Sequence, residues 1–250
     1  MNTPGTLHGL RVLVTRPVHQ AENLCRLLEA RGAHSLRLPL LSIEPLANPA
    51  AVTRLLDSAL TWNGWIFTSR NAVDYARRCH RGPWCARLYA VGAATLAALE
   101  SSGLSAGTPV RAFSSEALLE LPELQPVQGQ RLLIVTGEQG LDVLAASLRA
   151  RAATVEIAEV YRRLPMPYDE ARVLSALRGT DAIVITSGEA LQHLWRLTPE
   201  SSHATLQKKV LVVPSARVVE QASALGFTRA HAPAQMGDAQ IVQLLEQTAR

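Results

Sequence analysis

The sequence contains no apolar run that approaches the roughly 18 residues a membrane-spanning helix needs. Its first ten residues also lack the basic start and apolar stretch of a secretory signal, so we expect a cytoplasmic protein that does not contact a membrane. The composition, with 48% hydrophobic and 18% charged residues, is typical of a folded globular protein. At 250 residues the chain is long enough for two domains of ordinary size.

The sequence also contains few cysteines. The three cysteines, Cys25, Cys79 and Cys85, are an odd number and suit a reducing compartment, so we expect no disulfide. Cys79 and Cys85 lie near His80, but their spacing matches no zinc-binding pattern. The sequence therefore predicts no metal site.

Signatures of cofactor binding and of nucleophilic catalysis are absent as well. No Gly-x-Gly-x-x-Gly follows a predicted strand, and there is no Walker loop, no Gly-x-Ser-x-Gly turn and no His-Glu-x-x-His motif. The seven histidines are dispersed along the chain, which favours surface or capping roles over catalysis. We therefore predict a protein without a cofactor.

Positive charge is carried almost entirely by arginine, because Lys208 and Lys209 are the only lysines. The net charge is +4 and the isoelectric point is near 9.3, but the basic residues are scattered, which is a weak footprint for nucleic acid. Arginine also suits planar recognition of carboxylates. Composition alone thus leaves both an acidic small molecule and a polynucleotide open as ligands.

The chain repeats itself at an offset of about 120 residues. The segment Arg11–Thr15 (RVLVT) returns as Arg131–Val135 (RLLIV), and Ala30–Ala33 (ARGA) returns as Ala150–Ala153 (ARAA). Each copy has the pattern of a strand followed by an amphipathic helix. Such units bind ligands at the carboxyl ends of their strands, so we expect a site in a cleft between two lobes.

Strands and helices alternate along the chain, which indicates parallel sheets covered by helices on both faces. The predicted strands are Val12–Thr15, Ser35–Leu41, Trp65–Thr68, Leu88–Val91, Val110–Phe113, Arg131–Thr136, Thr154–Tyr161, Asp181–Ile185, Val210–Val213 and Thr228–Ala232. Prolines at 39, 45 and 49 mark a first linker, and residues 162–167 mark a second. We predict an α/β fold of two flavodoxin-like lobes with parallel sheets, joined by a two-stranded linker. Residues 39–165 would form the second lobe, inserted into a discontinuous first lobe of residues 1–38 and 166–250.

Small hydroxyl residues follow five of the predicted strands. These pairs are Thr15-Arg16, Thr68-Ser69, Thr136-Gly137, Thr186-Ser187 and Pro214-Ser215. Helix capping explains any one of them. Five together favour an array of anion-binding groups, because hydroxyls and helix N-terminal amides bind carboxylate or phosphate groups.

Six short motifs are spread along the whole chain. They are LVTRP (Leu13–Pro17), FTSRNAV (Phe67–Val73), AVG (Ala90–Gly92) followed by Thr95, SEALL (Ser115–Leu119), VYRR (Val160–Arg163) and ITSGE (Ile185–Glu189). Each motif is weak alone. In this order and spacing they resemble the uroporphyrinogen-III synthase family.

The resemblance implies an enzyme of tetrapyrrole and heme biosynthesis, a cyclising hydro-lyase that converts hydroxymethylbilane to uroporphyrinogen III. Water leaves to give an azafulvene at ring A, ring D attacks through its substituted carbon, and the spiro intermediate recloses with ring D inverted. The family uses no cofactor and no metal, and the eight carboxylates of the substrate fit the strand-end hydroxyls. We expect a monomer with no nucleic-acid partner, and a transient contact with the preceding pathway enzyme stays open.

By the family's pattern, Tyr161 is the catalytic residue, which donates a proton to the leaving hydroxyl. The other interpretation of Tyr161 is an aromatic ring that packs at the hinge. The residues expected to bind the substrate are Thr15, Arg16, Ser69, Asn71, Ser115, Thr136, Thr186, Ser187 and Ser215.

Two positions depart from the family's pattern. Leu141 stands where many relatives have Arg after a glycine turn, which puts one substrate contact in doubt. Ala152 stands where the Arg-Gly-Ala turn usually has Gly, a change that we expect the fold to absorb.

A non-catalytic binding or regulatory module for an acidic small molecule is the alternative function, since two hinged flavodoxin-like lobes also describe such proteins. An exported binding protein would need a signal peptide, and a phosphoacceptor module would need acidic residues where Thr15-Arg16 stands. A polyanion-binding protein is the third class, and its affinity would depend strongly on salt.

Overall fold

The computed structural model describes residues 6–85, 87–109, 114–138, 140, 143–234 and 236–249. It is a mixed α/β fold with two five-stranded sheets that are rich in parallel pairs. The chain divides into two compact units, one of Met1–Ser42 with Leu164–Arg250 and the other of Ile43–Arg163. Among the described residues, none of the helices has the length and apolar character needed to cross a membrane.

The secondary structure alternates between strands and helices. The strands in the described residues are β1 (Arg11–Val14), β2 (His34–Arg37), β3 (Leu41–Pro45), β4 (Gly64–Phe67), β5 (Leu88–Ala90), β6 (Arg131–Gly137), β7 (Thr154–Pro165), β8 (Ala182–Val184), β9 (Val210–Val212) and β10 (Ala230–His231). The helices are α1 (Val18–Glu29), α2 (Ala50–Asp57), α3 (Arg70–Cys79), α4 (Ala93–Glu100), α5 (Ser115–Leu119), α6 (Val143–Ala150), α7 (Glu170–Arg178), α8 (Gly188–Leu197), α9 (Glu200–Leu206), α10 (Ala216–Ala224) and α11 (Asp238–Thr248).

The first sheet has the strand order β10-β9-β8-β1-β2, and all of its neighbouring pairs are parallel. Counted within its own unit, this is the doubly wound order 2-1-3-4-5. Both faces are buried, because Val12 and Val14 pack with helix α1 on one side while Leu13 packs with helix α8 on the other. Only the strand ends of this sheet are left for polar side chains.

The second sheet has the order β3-β7-β6-β4-β5, with β4 parallel to β5 and β6, and β6 parallel to β7. Its inner strand β4 is also buried on both faces. Trp65 and Phe67 belong to the core that contains residues of α3, whereas Ile66 belongs to the core formed with α5 and α6. In β4 the two-sided burial leaves only the strand ends for polar residues.

Two of the predicted strands differ clearly from those in the structure. The strand predicted for Ser35–Leu41 is two strands, β2 and β3, separated around Pro39, which has no backbone N–H to donate. Strand β7 continues to Pro165 instead of ending at Tyr161. The strand predicted for Val110–Phe113 lies outside the described residues, as does Leu141.

Helix α2 begins directly after the linker predicted at prolines 39, 45 and 49, and the sequence patterns did not predict it. The side chain of Asn48 accepts a hydrogen bond from the Ala50 N–H (3.1 Å), which satisfies one of the donors at the start of the helix. Val52 and Leu56 of this helix are buried. The proline pattern did not reveal the helix, because proline is tolerated at a helix start as well as in extended chain.

The repeat in the sequence is matched by the same hydrogen bond in both units. Gly9 donates its N–H to the carbonyl of Gly32, and Gly129 donates its N–H to the carbonyl of Ala152, each at 3.0 Å. Gly32 has a φ of +86° and Ala152 has a φ of 60°. Ala152 is the one non-glycine residue with a positive φ in the part of the chain that the structure describes. An L-residue in this conformation costs about 1–2 kcal/mol.

Ala152→Gly is expected to raise the free energy of unfolding by up to about 1 kcal/mol, because glycine relieves the positive φ at a smaller cost in unfolded-state entropy. Urea unfolding of the variant and the wild type measures the change. Gly32→Ala is the matched change in the opposite direction, since its Cβ would lie 3.2 Å from the His8 Cα at a φ of +86°. Equal stability of wild type and Ala152→Gly would contradict the expected strain.

Candidate active site

Ser69 links strand β4 to helix α3 in the second unit. Its backbone is extended, and its Oγ accepts a hydrogen bond from the Ala72 N–H at 3.1 Å, so Ser69 is the N-cap of α3. The strand places Ser69 because the Thr68 N–H still bonds the Val135 carbonyl of the neighbouring strand (3.2 Å). The hydroxyl therefore lies at the carboxyl end of β4, beside the first amides of a helix.

Tyr161 lies on β7 with its side chain turned into the core of the second unit. The residue is 4% exposed, and its ring packs against Tyr75 with the centroids 5.6 Å apart. The Tyr161 hydroxyl lies 3.2 Å from the Ser69 Oγ. The predicted catalytic residue and one predicted substrate-binding residue are thus in direct contact.

A β-bulge sets the position of Tyr161. Thr136 pairs with Glu159 and Gly137 pairs with Tyr161, so Val160 is an extra residue of β7. Val160 and Tyr161 consequently turn into the same core, although neighbouring strand residues ordinarily alternate.

Gly137 makes room for the Tyr161 ring. A Cβ on Gly137 would lie 2.5 Å from the Tyr161 Cζ and 2.9 Å from its hydroxyl. The next residue fixes the strand end, since the Glu138 N–H donates to the Tyr161 carbonyl at 2.8 Å. Arg163 in turn donates to the Glu138 carbonyl at 2.9 Å. Only glycine at 137 fits this approach.

Thr136 is buried at the end of β6. Its Oγ1 accepts a hydrogen bond from the Thr68 Oγ1 at 2.9 Å. A Cβ on Gly140 would lie 2.7 Å from this oxygen, so the backbone of Gly140 lies close to it. Two threonines from adjacent strands thus form a hydroxyl pair at one sheet edge.

Asn71 and Ser115 complete the predicted residues of the second unit. Asn71 is the half-buried second residue of α3. Ser115 is the first residue of α5, but the N-cap is Ser114, whose Oγ accepts from the Ala117 N–H at 3.2 Å. Hydrogen bonds from its own backbone N–H and from the Ser114 hydroxyl hold the pKa of Glu116 below its usual value. The carboxylate of Glu116 therefore already places a negative charge at the start of α5.

The first unit has a matching set of hydroxyls. Ser187 caps α8 by accepting from the Ala190 N–H at 3.1 Å, and Thr186 beside it is half-buried. Ser215 is the exposed N-cap residue of α10, and its side chain makes no capping hydrogen bond. Both serines follow neighbouring parallel strands, so they lie at one edge of the same sheet.

Thr15 and Arg16 have partners within the first unit. The buried Thr15 hydroxyl donates to the Val184 carbonyl at 2.7 Å, and its N–H donates to the same carbonyl at 3.3 Å. Arg16 forms an ion pair with Asp238 in which both side chains are mostly buried. Sequence reasoning gave no sign of these two contacts, because the partners lie far along the chain.

The cysteines are free thiols, with Cys25 and Cys85 buried and Cys79 half-buried. Burial raises the pKa of the Cys79 thiol, and the nearby Arg78 opposes this in part. Within the described residues, histidine, cysteine, aspartate and glutamate side chains form no group of three or more that could hold a metal ion.

The chain is of the α/β class, and it carries hydroxyls, helix N-termini and one phenol at the carboxyl ends of parallel strands, where proteins of this class bind anionic ligands. The family model described as uroporphyrinogen-III synthase HemD matches residues 22–243. The chain belongs to the uroporphyrinogen-III synthase family.

Individual relatives agree with this assignment. Uroporphyrinogen-III synthase of Salmonella typhimurium is 38% identical over 232 residues, which are 87% of this chain and 92% of that protein. The synthase of Escherichia coli is 34% identical over 229 residues, with the same two shares. A crystal structure of a mutant uroporphyrinogen III synthase from Thermus thermophilus has the same fold, with a TM-score of 0.64 and 19% identity over 96% of this chain and 98% of that one.

Gly137→Ala is expected to displace the Tyr161 ring and to lower turnover, because the added Cβ would overlap it. Overpacking of this kind costs about 1–3 kcal/mol of stability. Steady-state kinetics and urea unfolding together measure both effects. Gly179→Ala is the control, since its Cβ would meet only Leu36 at an ordinary 3.7 Å. Wild-type turnover in Gly137→Ala would show that the close approach does not matter.

Proposed function

We propose that this chain closes hydroxymethylbilane to uroporphyrinogen III, with inversion of ring D and loss of water. Membership of the uroporphyrinogen-III synthase family supports this function and does not favour the non-catalytic binding module. The observation that carries the site is the contact between the Tyr161 phenol and the Ser69 hydroxyl at the strand ends of the second unit.

We infer that Tyr161 donates its phenol proton to the hydroxyl that leaves ring A. Proton and hydroxyl depart as water while the electrons of the ring-A pyrrole form the azafulvene. The proton that ring D releases when its pyrrole becomes aromatic again restores the phenol. The step thus consumes no cofactor and returns the enzyme to its starting state.

Positioning is the larger part of the proposed catalysis. Unassisted closure gives the uninverted isomer, so the protein must hold ring D where its substituted carbon attacks first. Holding the two reacting ends of the substrate in one geometry removes an entropic contribution to the barrier, which can amount to several kcal/mol. Contacts distributed over the substrate carboxylates would supply this constraint.

The proposed carboxylate ligands are the hydroxyls and helix amides at the strand ends. Ser187 and Ser215 suit this role because each is the N-cap residue of a helix and each hydroxyl has a hydrogen to donate. Thr136, Thr186, Asn71 and Ser115 extend the set. Each contact contributes only part of the binding, because a charge-assisted hydrogen bond typically contributes about 1.5–3 kcal/mol.

Thr15 and Arg16 take a different part in this proposal. Thr15 holds the end of β1 in place with both of its donors, and its carbonyl accepts a hydrogen bond from the Leu40 N–H at 3.1 Å. Arg16 is balanced by Asp238, but a guanidinium has five N–H donors, so a substrate carboxylate can share it.

The arrangement of the whole protein is part of the proposal. We infer a second lobe of residues 39–165 inserted into a first lobe of residues 1–38 and 166–250 through a two-stranded linker, which the division into two compact units supports. We also infer a cytoplasmic monomer whose partner is its substrate. The proposal also includes a transient contact between this chain and the preceding pathway enzyme.

The purified chain is expected to convert freshly generated hydroxymethylbilane mainly to isomer III without any added cofactor. Oxidation of the products followed by chromatography separates uroporphyrin I from uroporphyrin III. Heat-denatured protein serves as the control and should give isomer I. If the native chain also gives isomer I alone, the enzymatic function is wrong and the binding module replaces it.

Tyr161→Phe is expected to lower kcat by about 100-fold or more, with KM and stability nearly unchanged, because general-acid catalysis contributes about 10²–10⁴ in rate. Tyr75→Phe is the matched control. It removes a neighbouring phenol that donates to the Ile43 carbonyl at 2.8 Å, so it should cost stability without slowing turnover. An unchanged rate for Tyr161→Phe would move the acid role to water or to a substrate carboxyl, and leave Tyr161 as a packing residue.

A further inference from the structure

The Ser69 hydroxyl has one hydrogen to give and two lone pairs with which to accept. One lone pair accepts the Ala72 N–H, which caps α3. The second contact is the Tyr161 hydroxyl at 3.2 Å, and either oxygen can be the donor there. The direction of this one hydrogen bond decides where the phenol proton points.

A phenol that donates to Ser69 cannot donate to a leaving group at the same time, because it has a single hydrogen. A phenol that accepts from Ser69 keeps its hydrogen for the substrate. We propose that Ser69 is a positioning residue whose hydroxyl donates to the Tyr161 oxygen and so directs the phenol proton to the leaving hydroxyl. This inference rests on the proposed function.

The surroundings of Tyr161 make this hydrogen bond well defined. Gly137 and Tyr75 enclose the ring, so the phenol oxygen has little freedom to move. Tyr75 does not compete for the hydroxyl of Tyr161, because its own phenol donates to the Ile43 carbonyl. Ser69 is also fixed in position, because it follows the end of β4 and is the N-cap of α3.

The same hydrogen bond would assist the reaction as charge develops. When the proton passes to the leaving group, the phenol oxygen becomes a phenolate. A donor already in place then forms a charge-assisted hydrogen bond, which is about twice as strong as a neutral one. The amides at the start of α3 add a favourable dipole next to it.

Two substitutions at Ser69 separate donation from capping. Threonine and aspartate both cap helices well. The threonine hydroxyl can still donate, whereas the aspartate carboxylate can only accept. Ser69→Thr is therefore expected to keep most of the wild-type kcat. Ser69→Asp should lower kcat by about 10- to 100-fold at similar KM and similar urea stability.

Ser69→Ala should lower kcat by a comparable factor and should also destabilise α3. In a Tyr161→Phe background, the same Ser69→Ala change should have no further effect on kcat, because no phenol proton remains to be directed. Asp169→Ala controls for the loss of a cap. Asp169 is exposed, caps α7 by accepting from the Arg172 N–H at 2.7 Å, and should leave kcat unchanged.

Two outcomes would overturn the inference. One is equal kcat for Ser69→Thr and Ser69→Asp, and the other is an undiminished effect of Ser69→Ala in the Tyr161→Phe background. Failure of the proposed function is distinct from both, since the wild-type chain itself would then form no isomer III.

Discussion

Burial of both faces of each parallel sheet is the constraint on which the rest of the molecule depends. In the first sheet Val12 and Leu13 turn to opposite helix layers, and in the second sheet Trp65 and Ile66 do the same. Apolar burial of this kind supplies the main driving force for folding. It also makes an unpartnered polar group costly in a strand interior. In the described part of the chain, the buried Trp65 Nε1 is such a group, whereas the hydroxyls of Ser69 and Ser187 lie at the turns where a strand gives way to a helix.

The duplicated units use those turns differently. In each unit a serine follows a threonine after a buried strand and caps the next helix, with the same 3.1 Å hydrogen bond at Ser69 and at Ser187. In the second unit a neighbouring strand adds a phenol beside the serine. A structural cap thus becomes part of a reactive arrangement through one side chain on another strand. The two serines hold equivalent positions in their units, and Ser69 is the one that lies beside this phenol.

Local patterns predict most of the strands and helices, because apolar runs and amphipathic segments depend on nearby residues. Helix α2 was missed because Pro45 and Pro49 suit both an extended passage and a helix start. The family motifs indicate Tyr161 and Ser69 as site residues, but no periodicity predicts their contact. That contact depends on an extra residue in β7, and the ion pair of Arg16 depends on Asp238 at the far end of the chain. Both are tertiary effects.

The bulge between β6 and β7 sets which helix layer Tyr161 faces. Strand residues alternate between the two faces of a sheet, and Val160 shifts that alternation by one. If the same residues were paired without the bulge, Gly137 would pair with Val160, and Tyr161 would turn toward the opposite helix layer. The phenol would then be lost from the site although the tyrosine itself was unchanged. The register of β7 against β6 is therefore as important to the site as the identity of residue 161.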